Sequence, residues 1–282
     1  MSNGTGSNPG FPGPTGGPPD LEQPPAYIEG PGGGPAMPAG GLSPEEKEAY
    51  DEASDNANYY AAGTAGVAVV STPFSGGGGL VFGIISAGFW FLSQVFSDLA
   101  EDPPQSYEQI ITFQPRVCRP PAMTDPILSR VGIATQQAVF TLVTARGLLD
   151  ALERFAGAQQ AGDLNWAVTH YGVASQCYQT LVVDVATLAA ALYAAGQAIS
   201  GSKFDVSLNP SAGGVQEWTE SPGMQAKMWK QMHAAGFLNA EIKAVIEWWK
   251  TNPKYSGPQT TASQLFLSAG DSLYTFAQRL SL

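Results

Sequence analysis

Between Asp55 and Asp98 the chain runs for 42 residues without an Asp, Glu, Lys, Arg or His, and its second part reads STPFSGGGGLVFGIISAGFWFLSQVFS. A run of that kind narrows the folds open to the chain, because a helix apolar on every face must be surrounded by protein or by lipid. Thr72-Pro73 and the glycines from Gly76 to Gly79 divide the run. The breaks predict two helical arms, one ending near Val70 and one covering about residues 80–100, stopped by Pro103-Pro104.

Three readings of this hairpin compete. As a permanent membrane span, residues 78–96 reach roughly 28 Å, just enough for a hydrocarbon core near 30 Å, whereas 59–70 give only about 18 Å. Its flanks carry Asp55, Asp98, Glu101 and Asp102 in place of the Lys and Arg that set topology. As a buried core helix, the second arm belongs at the centre of a bundle, with the third and fourth helices around it. That leaves its glycines without a purpose. Gly79, Gly83 and Ala87 fall four apart, as do Ala57, Ala61 and Ala65, and small residues at that spacing let helices associate closely in lipid. The third reading joins the two: a hairpin packed inside a soluble form, with Phe89, Trp90 and Phe91 as its aromatic body, that later enters a bilayer. Protonation of the four flanking carboxylates below roughly pH 5 would then serve as its trigger.

Around the hairpin the sequence divides cleanly. Residues 1–42 are rich in Gly and Pro and hold few large apolar side chains, so they are expected to form a disordered tail. Within the tail Pro24, Pro25 and Tyr27 fit the PPxY pattern that WW domains bind, a partner relevant only in a eukaryotic host. Ser43-Pro44-Glu45-Glu46 opens an acidic first helix, so 43–104 is expected to hold that helix and the apolar hairpin. Residues 105–124 read as an extended connector, with a short strand at QIITF.

Residues 125–201 read as a long antiparallel helical hairpin. Asp125-Pro126 opens its first helix, and Gly162-Asp163 closes that helix and opens the next. Leu128, Val131, Thr135, Ala138, Leu142, Ala145, Leu149 and Leu152 recur at steps of three and four, as do Tyr171, Ser175, Tyr178, Val182, Val185, Ala189, Leu192, Gly196 and Ile199. Such spacing implies coiled-coil-like packing of two helices each about 50 Å long. Residues 202–282 are expected to form a small helical cap, with helices opened by Ser221-Pro222 and by Asn239 and a last one over 262–280. The fold class is therefore an all-α, elongated antiparallel bundle.

Charge and chemistry exclude several functions. The net charge is −11, and residues 1–115 carry Lys47 as their only base against 13 carboxylates, which argues against nucleic-acid binding. Only Cys118 and Cys177 occur, too few for a disulfide framework. His170 and Cys177 share a helix face but stand about 10 Å apart along it, beyond nucleophile-to-base reach. Gly76 to Gly79 lacks the strand and the Lys-Ser or Lys-Thr of a phosphate loop. No metal set, cofactor motif or catalytic constellation is legible, so the chain is expected not to be an enzyme. The amino terminus lacks the basic and apolar regions of a signal peptide, so a cytoplasmic or non-classically exported protein is expected. Lys227, Trp229, Lys230, Trp249 and Lys250 mix basic and aromatic side chains as interfacial docking segments do.

In outline, residues 43–201 resemble the α-helical pore-forming toxins, which pair an elongated helical bundle with an apolar hairpin. The resemblance implies a non-enzymatic, membrane-active protein, a toxin or effector that inserts the hairpin into a lipid membrane and forms a homo-oligomer there. The alternative is a soluble structural or interaction protein, a scaffold or assembly subunit, whose hairpin is buried core or an oligomer seam.

Overall fold

A computed structural model of the chain describes residues 44–71, 78–101, 124–208, 222–234, 237–251 and 257–280. The tail with its PPxY tetrapeptide, the Ser43 and Ser221 caps, most of the connector with QIITF, and Asp102 and Cys118 lie outside the described residues. Among those described, seven helices and one two-residue strand pair make an all-α bundle.

Helix α1 (Pro44–Ser71) and helix α2 (Gly78–Ala100) lie antiparallel. The Tyr50 ring lies tilted against Phe96 with centroids 6.3 Å apart, Ser54 Oγ donates to the Ser93 carbonyl at 2.8 Å, and Ser86 Oγ donates to the Ala61 carbonyl at 2.7 Å. The small residues explain the close approach. Ala57, Ala61 and Ala65 are all buried, so the four-residue spacing read in the sequence forms a helix contact inside the bundle.

Helix α3 (Pro126–Gln160) starts where Asp125 accepts the amides of Ile127 and Leu128. Its end is a tight turn through Gly162, whose φ of 72° favours glycine, and Asp163 accepts the Trp166 amide at 3.1 Å to open helix α4 (Leu164–Ile199). The register of the long hairpin follows from three levels: Phe155 against Tyr171, Gly147 against Cys177, and Thr144 against Asp184. Each pair sums to about the same number, as an antiparallel pair about the 161–163 turn requires.

The residues of α3 at steps of three and four are part of a wider buried face. Val131, Thr135, Ala138, Leu142 and Ala145 are buried as read, but so are Ala134, Val139, Thr141, Leu148 and Ala151, while Leu149 and Leu152 are only half-buried. The reason is a second neighbour. α2 packs on α3 from the other side, close enough that a Cβ on Gly88 would lie 3.1 Å from that of Ala138.

The carboxy-terminal region closes the bundle. Helix α5 (Pro222–Ala234) and helix α6 (Asn239–Thr251) lie against α2, and helix α7 (Ala262–Leu280) runs antiparallel along α4 and beside α1. α4 and α7 approach closely at Gly270, where a Cβ would stand 2.9 Å from the Ala189 carbonyl oxygen. Strands β1 (Ser207–Leu208) and β2 (Thr260–Thr261), which the sequence reading lacked, pair antiparallel and bring the two ends of the α5–α6 segment together. Asn239 is the first residue of α6, not its cap. The Leu238 carbonyl accepts the first helical bond, and Glu241 reaches back to the Leu238 amide at 2.6 Å.

The burial pattern predicts an asymmetry. Leu142→Asp places a charge at a site only 1% exposed and should cost upwards of about 3 kcal/mol, enough to unfold much of the protein. Leu149→Asp, half-buried, lets the carboxylate reach water and should cost roughly half as much or less. Urea unfolding of the two variants side by side checks this.

Candidate functional site

The residues singled out on the apolar hairpin converge in the middle of the bundle. Residues 81–89 of α2 are all buried, Gly83 and Ala87 among them, and Phe89 packs its ring 5.7 Å from Tyr60. Trp90 is half-buried and leans on Trp248 at 5.9 Å, and Phe91 lies between Phe237 and the Arg146 guanidinium, which sits 4.8 Å from its ring centroid. The backbone at Gly79 is helical. The neighbours of α2 are α1, α3, the α5–α6 cap and α7, which brings Phe266 and Phe276 against Phe82 and Phe96. The expected enclosure by α3 and α4 is thus corrected, since α4 faces α3 and α7.

One hydroxyl organises this site. Ser86 is fully buried, donates to the Ala61 carbonyl of α1 at 2.7 Å, and accepts the indole N–H of Trp249 at 3.1 Å. Trp249 is itself fully buried, so the expectation that it helps form a docking surface is corrected: a helix places adjacent residues about 100° apart, and here Trp249 faces the core while Trp248 takes the margin. Lys227, Lys230 and Lys250 are exposed, Trp229 is half-buried against His233, and Lys250 pairs with Glu247 at 2.9 Å.

The flanking carboxylates do not form one cluster. Ser54 is level with Ser93, which leaves the exposed Asp55 short of Asp98 along the hairpin. Asp98 instead lies toward α3, where partial burial and neighbouring Glu101 push its carboxyl up against the opposing pull of Arg146. Glu153 is raised likewise, by burial and then by Asp150 and Asp98. The sign matters for the proposed trigger. A carboxylate with a raised folded-state pKa binds protons more tightly in the folded form, so its contribution to stability grows as pH falls through the raised value. Acid therefore relieves these groups inside the bundle and does not pry it open through them.

Three features escaped the sequence reading. Asp184 is in the α3–α4 contact, where its carboxylate accepts Thr144 Oγ1 at 2.5 Å and its carbonyl accepts Thr141 Oγ1 at 3.2 Å. Burial raises its pKa over the lowering effect of the side-chain hydrogen bonds from Thr144 and Gln137. Arg146 pairs with the buried Glu241 and ties α3 to the start of α6. A single hydroxyl in the apolar run from Leu80 to Leu92 was the available signal for Ser86.

As for chemistry, His170 stacks on Trp166 with ring centroids 5.2 Å apart, and its pKa is lowered by burial and then by Arg154. Cys177 is half-buried, and burial and then Asp150 raise its thiol. Among the described residues no three His, Cys, Asp or Glu side chains converge as metal ligands would. Comparison of the chain with family models, curated proteins and solved structures finds no match.

Ser86→Ala should cost about 1–3 kcal/mol, because it leaves a buried indole N–H and a buried carbonyl short of a partner. Trp249→Phe keeps most of the apolar volume, so the double variant should cost less than the two single losses summed, a coupling that a double-mutant cycle in urea reads directly. For Asp98→Asn the expected sign is a gain in stability at pH 7 that shrinks toward pH 4, measured from melting temperatures at both values.

Proposed function

We propose that the protein is a non-enzymatic helical interaction protein, of the scaffold or assembly-subunit kind, in which the α1–α2 hairpin serves as permanent core. The observation that carries this reading is the enclosure of α2. Its apolar faces from 81 to 89 are covered, and its one central hydroxyl is saturated by two partners from different helices. A segment held ready for release would leave a weaker boundary than that. The burial of Ala57, Ala61, Ala65, Gly83 and Ala87 inside the bundle also gives these small residues a use that needs no lipid.

A second reading, insertion into a bilayer, is favoured by one observation. Both α2, from Val81 to Ala100, and α4 are long and apolar enough to cross a membrane. To do so α2 must leave a position in which 78% of its apolar window is covered, and the sign of the Asp98 and Glu153 shifts works against acid as the means.

Dye release from phosphatidylcholine and phosphatidylglycerol liposomes at neutral and acidic pH separates the two. The expected outcome is no release at either pH, with the protein recovered monodisperse and unbound. Release that Gly83→Leu abolishes in protein still folded and still bound to the liposomes would replace the scaffold reading with insertion.

A further inference from the structure

The α3–α4 hairpin extends past the helix that covers it. α7 runs antiparallel along α4, and Tyr178 Oη donates to the carbonyl of Leu280, the last residue of α7, at 2.8 Å. From there to Leu164 the same side of α4 has no α7 beside it. Leu164 is 75% exposed and Val168 73% exposed. With Gly172 they fall four residues apart, on one face of the helix.

Gly172 is the unexplained member. It is exposed in mid-helix, does not adopt a positive φ, and a Cβ built on it would meet nothing within 4 Å among the described residues. Neither backbone conformation nor packing among the described residues calls for a glycine there, and glycine weakens a helix interior.

We propose that this face is where two copies of the chain associate, hairpin tip against hairpin tip. The two α4 helices lie antiparallel about a two-fold axis near residue 170, so that Val168 of each seats on the partner's Gly172. A two-fold interface must be self-complementary, and a protruding side chain and a gap spaced four apart on one helix face satisfy that requirement. Charge selects the same place. Each copy carries a net charge of −11, yet between Arg154 and Asp184 the only acidic or basic side chains are Asp163 and His170. Two such chains can meet there without opposing rows of carboxylates. The overlap, about 14 residues or ~21 Å of helix on each chain, puts the contact at the small end of specific interfaces, so the dimer is weak and concentration-dependent. A lipid surface or a larger partner helix would use Leu164 and Val168 but would leave Gly172 without a role. This inference is independent of the scaffold reading, because failure of the liposome test would not change the residues that meet at the tip.

Sedimentation velocity of the full chain from micromolar to millimolar concentration provides the test. The expected result is a monomer–dimer equilibrium that Val168→Asp weakens roughly tenfold or more; the side chain is exposed, so the variant should keep the wild-type melting temperature at low concentration. Gly172→Leu should act with opposite signs, raising the melting temperature of the dilute monomer through better helix propensity while abolishing the dimer. A monomer at every concentration, or a dimer of unchanged affinity in both variants, overturns the proposal. So does binding of monomers to phosphatidylcholine vesicles that Val168→Asp removes with no dimer in solution, which would assign the face to lipid.

Discussion

A helix whose whole middle is apolar still carries polar demands, and in α2 they meet at Ser86. Its hydroxyl hydrogen goes to a carbonyl of α1 and its oxygen takes the indole proton of α6, so three helices share one buried chain of hydrogen bonds. Each link is worth only about 1 kcal/mol net, but leaving any of the groups unpaired in that interior costs more. The chain therefore fixes which face of α2 looks toward α1 and how deep Trp249 enters. Phe82, Phe89 and Phe96 can then be placed against α7, α1 and α7 in turn, and Phe91 against Phe237 just ahead of α6.

The same economy runs through the rest of the bundle. Charged residues make up 13% of the chain, about half the usual share, so helix contacts rely on small side chains and hydroxyls. Tyr60 donates to the Ser268 carbonyl, Tyr178 to that of Leu280, and Ser54 to that of Ser93. Burial lifts the Tyr60 phenol to about 12, so it stays a donor throughout the physiological range. Where a charge is brought inside, it is answered: Glu241 by Arg146 and the Leu238 amide, and the Asp184 carboxylate by Thr144.

What could be read from the sequence was local. The caps at Asp125 and Asp163, the glycine turn, and the limits of the last helix all depend on residues within a few positions of one another, and they stand where the sequence put them. The all-round apolarity of α2 correctly demanded enclosure, but nothing in the residues of α2 names its neighbours. That choice depends on contacts across more than a hundred residues, such as Ser86 with Trp249. For the same reason helical geometry could say that Trp248 and Trp249 face different ways without saying which faces in. The steps of three and four marked many of the residues that α3 buries and underestimated the width of that face, because a second neighbour of α3 leaves no separate periodic signature. The β1–β2 pair, two residues on each side, is too short to announce itself.

That short pair has a consequence for how the molecule opens. Asp205 accepts the amides of Gly201 and Ser263, which outweigh burial and hold its carboxyl below the usual range, and the Ala262 amide donates to the Val206 carbonyl beside the strands. The chain thus leaves the four long helices and returns to them at one clasped point, carrying α5 and α6 on a closed loop. Such a loop can detach as a unit while α4 and α7 remain in register. Its return then costs little entropy, because its ends have never separated. The hydrogen-exchange protection of amides in the middle of α2 would accordingly report two free energies, that of lifting the cap and that of dissolving the bundle, with Trp249 acting as the latch between them.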